Sequence, residues 1–139
     1  MSECAVTHVG LCVTDLDRAE AFYVEALGFT RLRDLKAPDD ITGKLLRIPQ
    51  PVGLTAVYLG LGSFVLELLH FDREENDPRT DRSFTEPGLT HLSLSTDDLA
   101  ATLERVVAAG GTVLDDTNVT AAILIRDPDG QVVELVQAR

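Results

Sequence analysis

The chain has 139 residues, 45% of them hydrophobic, and sets 12 Lys plus Arg against 23 Asp plus Glu for a formal net charge of −11. One buried core fits that length and two would be a squeeze, while the acidic balance repels phosphate backbones and anionic lipid, which argues against nucleic-acid and membrane partners. No apolar run approaches the roughly 20 residues that cross a bilayer, and the N-terminal segment lacks the basic and apolar regions of a secretory signal, so a cytoplasmic location is expected.

In chain order, residues 4–13 alternate apolar and polar side chains and favour a half-buried strand. Cys4 and Cys12 would lie too far apart along that extended segment to bridge each other and are expected to be reduced thiols. Thr14-Asp15 is a helix start, and Leu16, Ala19, Phe22, Tyr23 and Leu27 recur at helical spacing until Gly28. Strands are expected near 29–35, 54–60 and 63–71, the last two joined by the Gly-rich turn Leu59 to Ser63. The stretch Ala37 to Gly53, punctuated by Pro38, Gly43, Pro49 and Pro51, reads as a long loop of the kind that covers sites.

A polar connector follows over 72–88. The remaining segment repeats the first: a strand through His91, a helix opened by Thr96-Asp97 with Leu99, Leu103, Val106 and Val107 on one face, a stop at Gly110-Gly111, and strands near 112–114, 119–126 and 131–137. Asp127-Pro128-Asp129-Gly130 is the last hairpin turn.

The repeat is visible residue by residue. Thr7-His8-Val9-Gly10-Leu11-Cys12-Val13-Thr14-Asp15-Leu16 aligns with Thr90-His91-Leu92-Ser93-Leu94-Ser95-Thr96-Asp97-Asp98-Leu99, and Val65-Leu66-Glu67-Leu68-Leu69 with Val132-Val133-Glu134-Leu135-Val136. The chain is therefore read as a single domain over 1–139, with module one at 4–71 and module two at 89–137, each ordered strand, helix, then three strands.

Strand parity then locates the polar residues. Val9, Leu11 and Val13 form an apolar face suited to a helix, which leaves His8 opposite; Leu66 and Leu68 leave Glu67; Leu92 and Leu94 leave His91, Ser93 and Ser95; Val133 and Leu135 leave Glu134. A carboxylate set among apolar neighbours without a partner costs several kcal/mol or shifts its pKa until neutral. Two imidazoles and two carboxylates around one divalent cation remove that cost, and the set suits Zn, Ni, Co, Fe or Mn. Ser93 and Ser95 share the His91 face, where orienting a substrate or a ligand competes with simple space filling. Arg33, Lys44 and Arg47 flank or occupy the long loop, where surface solvation competes with pairing to a substrate carboxylate or phosphate.

The segments Thr7 to Phe29 (THVGLCVTDLDRAEAFYVEALGF) and Asp127 to Leu135 (DPDGQVVEL) resemble the vicinal oxygen chelate superfamily, which holds glyoxalases, bleomycin-resistance proteins and dioxygenases. The resemblance covers nearly the whole chain. It implies an α+β fold in which paired βαβββ modules form a curved mixed sheet around a metal, commonly in a homodimer with a small-molecule substrate. Position by position, it places the metal ligands at His8, Glu67, His91 and Glu134, an order most like bacterial glyoxalase I; methylmalonyl-CoA epimerase is the next most similar member. The implied chemistry is that of a lyase or isomerase: proton transfer beside a metal-bound carbonyl, with Glu134 as base and Glu67 as the second carboxylate. An Fe(II) extradiol-type dioxygenase and a non-catalytic small-molecule or antibiotic-binding protein are the alternatives that the superfamily leaves open.

Overall fold

The structure, a computed structural model, describes residues 2–79 and 82–139. Its elements are β1 (Val9–Cys12), α1 (Leu16–Leu27), β2 (Thr30–Leu35), α2 (Asp39–Leu46), β3 (Leu54–Leu61), β4 (Phe64–Phe71), β5 (Leu92–Thr96), α3 (Leu99–Ala108), β6 (Thr112–Leu114), a 3-10 turn at Asp115–Thr117, β7 (Ala122–Arg126) and β8 (Val132–Gln137). The strands form two four-stranded mixed sheets of identical plan, β1-β4-β3-β2 and β5-β8-β7-β6. In each sheet the first strand of the copy runs parallel to the last, while the other pairs are antiparallel. A parallel neighbour needs a crossover and an antiparallel one needs only a hairpin, so strand, helix and three strands produce this order in both copies. The fold is the expected α+β pair of βαβββ copies. Of the expected connector, residues 80 and 81 lie outside the described residues.

By its contacts the chain divides into two compact units: one takes in the chain up to Glu20 together with Phe29–Asp77, the other Ala21–Gly28 together with Pro78–Arg139. Helix α1 is thus divided between them. Its second half packs within the second unit, where Phe22 and Tyr23 are fully buried with Val106, Ile125, Val133 and Leu135. The Tyr23 hydroxyl donates to Asp127 Oδ2 at 2.7 Å, and Arg105 Nε donates to the Ala26 carbonyl at 3.4 Å. In the first unit Val13, Val57, Leu59, Leu66 and Leu68 are among the buried apolar side chains. Helical periodicity marked the apolar face of α1 correctly and could not say which sheet receives it.

The helix ends follow from their residues. The Asp15 carboxylate accepts from the Arg18 amide at 3.0 Å at the start of α1, and Asp98 does the same for the Ala101 amide at 3.0 Å at the start of α3. The second cap therefore falls on Asp98, the repeat partner of Asp15, and not on Thr96-Asp97. Gly28 and Gly110 follow the helices at φ 82° and 93°, a conformation that glycine adopts without a Cβ penalty. Val107, expected on the inner face of α3, is 60% exposed; the buried positions are Thr102 and Val106.

Two expectations are corrected outright. The supposed loop Ala37 to Gly53 contains α2. Its first turn carries Asp39 and Asp40, Thr42 Oγ1 bonds the Pro38 carbonyl at 2.9 Å, and the Asp39 carboxylate receives the Val52 and Gly53 amides, which ties the segment down. Proline and Gly43 masked a pattern that only eight residues carry. The strand expected over 4–13 is ordered as strand only at Val9–Cys12, because its ladder consists of four pairings with β4. Cys4 and Cys12 are exposed and form no disulfide. Among the described residues no helix is long and apolar enough to cross a membrane.

Close packing in the second unit supports a stability prediction. A Cβ on Gly111 would stand 2.6 Å from Phe22 Cε2, 2.8 Å from Val106 Cγ1 and 2.9 Å from the Arg126 carbonyl oxygen. The carbonyl is backbone and cannot rotate away. Gly111→Ala is expected to lower the unfolding free energy by about 1–3 kcal/mol, read as a lower urea midpoint with an unchanged slope; an unchanged midpoint would show that the α3–β6 corner yields freely.

Candidate functional site

Each unit holds one imidazole and one carboxylate in contact. In the first, β1 and β4 run parallel with Val9 opposite Leu66 and Gly10 opposite Glu67, so His8, which immediately precedes β1, reaches the carboxylate from the strand end. His8 Nε2 lies 3.4 Å from Glu67 Oε1, and the side chains are 35% and 11% exposed. The other ring nitrogen, Nδ1, is 3.0 Å from the Thr7 hydroxyl. Tyr58 stands opposite Glu67 in the β3–β4 ladder, and the nearby carboxylate, ahead of burial, raises the Tyr58 phenol above its ordinary range.

The second unit repeats the arrangement. His91 immediately precedes β5 and Glu134 lies on β8 opposite Ser93. His91 Nε2 and Glu134 Oε1 are 4.0 Å apart, with side chains 30% and 35% exposed. Nδ1 of His91 is 2.8 Å from the Thr90 hydroxyl. Ser93 Oγ donates to Glu134 Oε1 at 2.6 Å, and the Phe84 ring stacks on the imidazole with centroids 5.2 Å apart.

The donor chemistry fits a divalent cation. A threonine hydroxyl occupies Nδ1 in both units and orients Nε2 toward a carboxylate oxygen, as an outer partner does for a metal-binding histidine. The Nε2 to Oε1 separations of 3.4 and 4.0 Å exceed the usual N–H···O range. Two ligands bound at about 2.1 Å with a tetrahedral angle between them stand about 3.4 Å apart. The sequence reading puts His8, Glu67, His91 and Glu134 on one cation; the structure brings them together two by two, one pair in each unit. Among the described residues no group of three or more His, Cys, Asp or Glu side chains is close enough to hold a metal.

Other candidates sort as follows. Ser93 bonds a carboxylate of the site, while Ser95 is exposed. The guanidinium of Arg33 lies over the Tyr58 ring, 4.2 Å from its centroid. Lys44 is exposed on the last turn of α2. Arg47 caps α2 at φ 59° and lines an open cavity of about 340 Å³ with Cys12, Phe71, Arg73 and Asn76. The reading from sequence missed Tyr58 and the threonines. Thr7 and Thr90 were legible as a repeated Thr-His pair; Tyr58 was not, since its place opposite Glu67 depends on the cross-strand register of β3 and β4.

Comparison with known proteins shows the family. Residues 5–135 match the Glyoxalase/Bleomycin resistance protein/Dioxygenase superfamily, and the chain belongs to that family. It is 28% identical to a protein of Vibrio parahaemolyticus named "Probable lactoylglutathione lyase", over 99% of this chain and 93% of that one. It is 30% identical to the lactoylglutathione lyase of Pseudomonas aeruginosa, over 98% of this chain and 84% of that one. Among solved structures, a glyoxalase family protein from Bacillus cereus superposes with a TM-score of 0.81 at 15% identity, covering 99% of this chain and 97% of the other, which is a likeness of fold.

Proposed function

We propose that the protein is a metal-dependent lyase or isomerase of glyoxalase type, moving a proton at a carbon beside a carbonyl of a small substrate. The observation that carries this reading is the duplicated imidazole–carboxylate pair, His8 with Glu67 and His91 with Glu134, each with its histidine oriented by a threonine. Brought together across a homodimer, one pair of each kind would supply a four-ligand N/O set for one Zn, Ni, Co, Fe or Mn ion. Bound there, such an ion would act as a Lewis acid toward substrate oxygens.

The remaining work belongs to the chain. Glu134 is the more exposed carboxylate and takes the proton, with the Ser93 hydroxyl able to steady it before and after. Lactoylglutathione, named for the relatives, makes hemithioacetals and thioesters of glutathione the first compounds to try.

Metal analysis of protein purified without chelators tests the proposal most directly. About one equivalent of divalent metal per four-ligand set is expected, lost in His91→Ala, with anaerobic conversion of a glutathione hemithioacetal supported by Ni, Co or Zn. Turnover that requires both ferrous iron and oxygen would favour a dioxygenase. Protein that takes up no stoichiometric metal, and whose His91→Ala variant still binds its ligand, would be a binding protein.

A further inference from the structure

A cavity of about 340 Å³ lies wholly within the first unit, between two walls that the chain holds in place. The first wall is the turn after α2. A Cβ on Gly43 would stand 2.9 Å from the Ile48 carbonyl oxygen and 3.2 Å from Val52 Cγ2, so the chain folds back tightly over the helix. The Asp39 carboxylate fastens the far side of that turn by accepting from the Val52 and Gly53 amides, and Ile48 and Pro49 are thereby presented to the cavity. The second wall is the segment after β4. There the Asn76 side-chain amide donates to the Val13 carbonyl at 3.3 Å and to the Phe71 carbonyl at 3.1 Å, which pins the segment to the ends of β1 and β4.

Most polar groups of the lining are engaged by the chain itself. Both donors of the Asn76 amide are spent on those carbonyls. Arg73 Nε meets Glu75 Oε1 at 2.6 Å, so the cation and the carboxylate of that wall offset each other. Arg47 differs. Among the described residues no hydrogen bond or ion pair engages its guanidinium, in a chain that sets 23 acids against 12 Lys plus Arg. Its backbone holds the left-handed conformation at φ 59° and ψ 42°, where helices commonly end on glycine. Ile48, Pro49 and Phe71 supply apolar surface around it.

We propose that this cavity binds a small molecule with an apolar body and a single carboxylate, the carboxylate pairing with Arg47. A guanidinium offers a carboxylate two parallel N–H donors, and one uncommitted cation matches one negative charge. By strand alternation Cys12, which lines the cavity, shares a face of β1 with Gly10 and with His8, about 13 Å back along the chain. The ligand would therefore sit on the face that carries the His8–Glu67 pair. Only in counting that molecule as a substrate does this rest on the proposed function.

Titration with 4-phenylbutyrate and with its neutral counterpart 4-phenylbutyramide tests the site without turnover. The parent protein should bind the acid about tenfold more tightly than the amide, the low end of what a hydrogen bond to a charged group contributes, because Arg47 is exposed. Arg47→Gln should remove that preference. Lys44→Gln, which deletes an exposed charge of the same helix away from the cavity lining, should keep it. Cys12 reports where the acid sits: with Cys4→Ser it is the remaining thiol. Phenylbutyrate at ten times its dissociation constant should then slow alkylation by N-ethylmaleimide about tenfold, since only the unliganded fraction reacts. A parent that binds neither compound, or both equally, would overturn the site. So would a preference that survives Arg47→Gln or falls as much in Lys44→Gln, or a Cys12 rate untouched by bound acid. Metal uptake by the imidazole–carboxylate pairs enters none of these readouts, so either reading can fail while the other stands.

Discussion

Glu134→Gln is expected to lower turnover of a glutathione hemithioacetal by about 10²–10⁴-fold, the span that general acid–base catalysis usually contributes, while the protein still binds divalent metal when the ion is supplied in excess. The amide keeps the shape of the side chain and an oxygen that can accept from Ser93, which donates to this position at 2.6 Å. What it lacks is the basicity to take a proton. Glu67→Gln should show the opposite balance. Its side chain is the more buried of the two and lies 3.4 Å from His8 Nε2, so its loss should appear mainly as weaker metal binding, with turnover largely restored at saturating ion. Measuring kcat for both variants across a metal titration decides the matter. Equal losses at saturation would mean that the two acids share the proton, and the division of roles would be wrong.

Asp127→Ala is expected to cost about 3 kcal/mol or more of folding stability, on the basis of about 1–3 kcal/mol for each buried donor deprived of its acceptor. One carboxylate serves three donors: the Tyr23 hydroxyl at 2.7 Å, the Asp129 amide at 2.9 Å and the Gln131 amide at 2.8 Å. Together these hold the β7–β8 turn to the second half of α1 inside the second unit. Asp127→Asn should lose much less, because it keeps an acceptor for the two amides. The pH dependence has a definite sign. Burial, the largest influence, pushes the Asp127 carboxyl above its ordinary value of 3.8, against the downward pull of Tyr23 and the two amides. A raised folded pKa means that the fold favours the protonated form, so the contribution of this group is complete below the ordinary carboxylate range and declines as pH rises through it. Any deficit of Asp127→Asn relative to the parent should therefore shrink as pH rises, seen in urea midpoints of both proteins at several pH values. A deficit that grows with pH would show that the ionised carboxylate is the form the turn prefers.

The legible and illegible parts of the site divide along a physical line. Glu67 and Glu134 could be picked out because each interrupts an apolar strand at a parity set by backbone pleating alone, and His8 and His91, which stand just before their strands, because each recurs in the repeat. Their contact in two pairs then follows from the parallel pairing of β1 with β4 and of β5 with β8. Tyr58 gave no such signal. It looks like any apolar-strand aromatic until the antiparallel register sets it opposite Glu67 and beside Arg33. Helix α2 was hidden for a different reason: eight residues with an internal glycine carry too little periodicity to stand out from the prolines around them.

The amino-acid sequence by itself determined the duplication, the strand-helix-strand order of each copy and the face of each strand on which the acids and imidazoles lie, because these depend on local periods of two and 3.6 residues. Tertiary structure alone decided that the second half of α1 packs into the second unit, where Tyr23 meets Asp127, and that Glu67 stands opposite Tyr58 while Glu134 is bonded by a serine. Those outcomes turn on which residues from distant parts of the chain come within about 3 Å of one another, a distance set by sheet register and helix packing rather than by any local pattern.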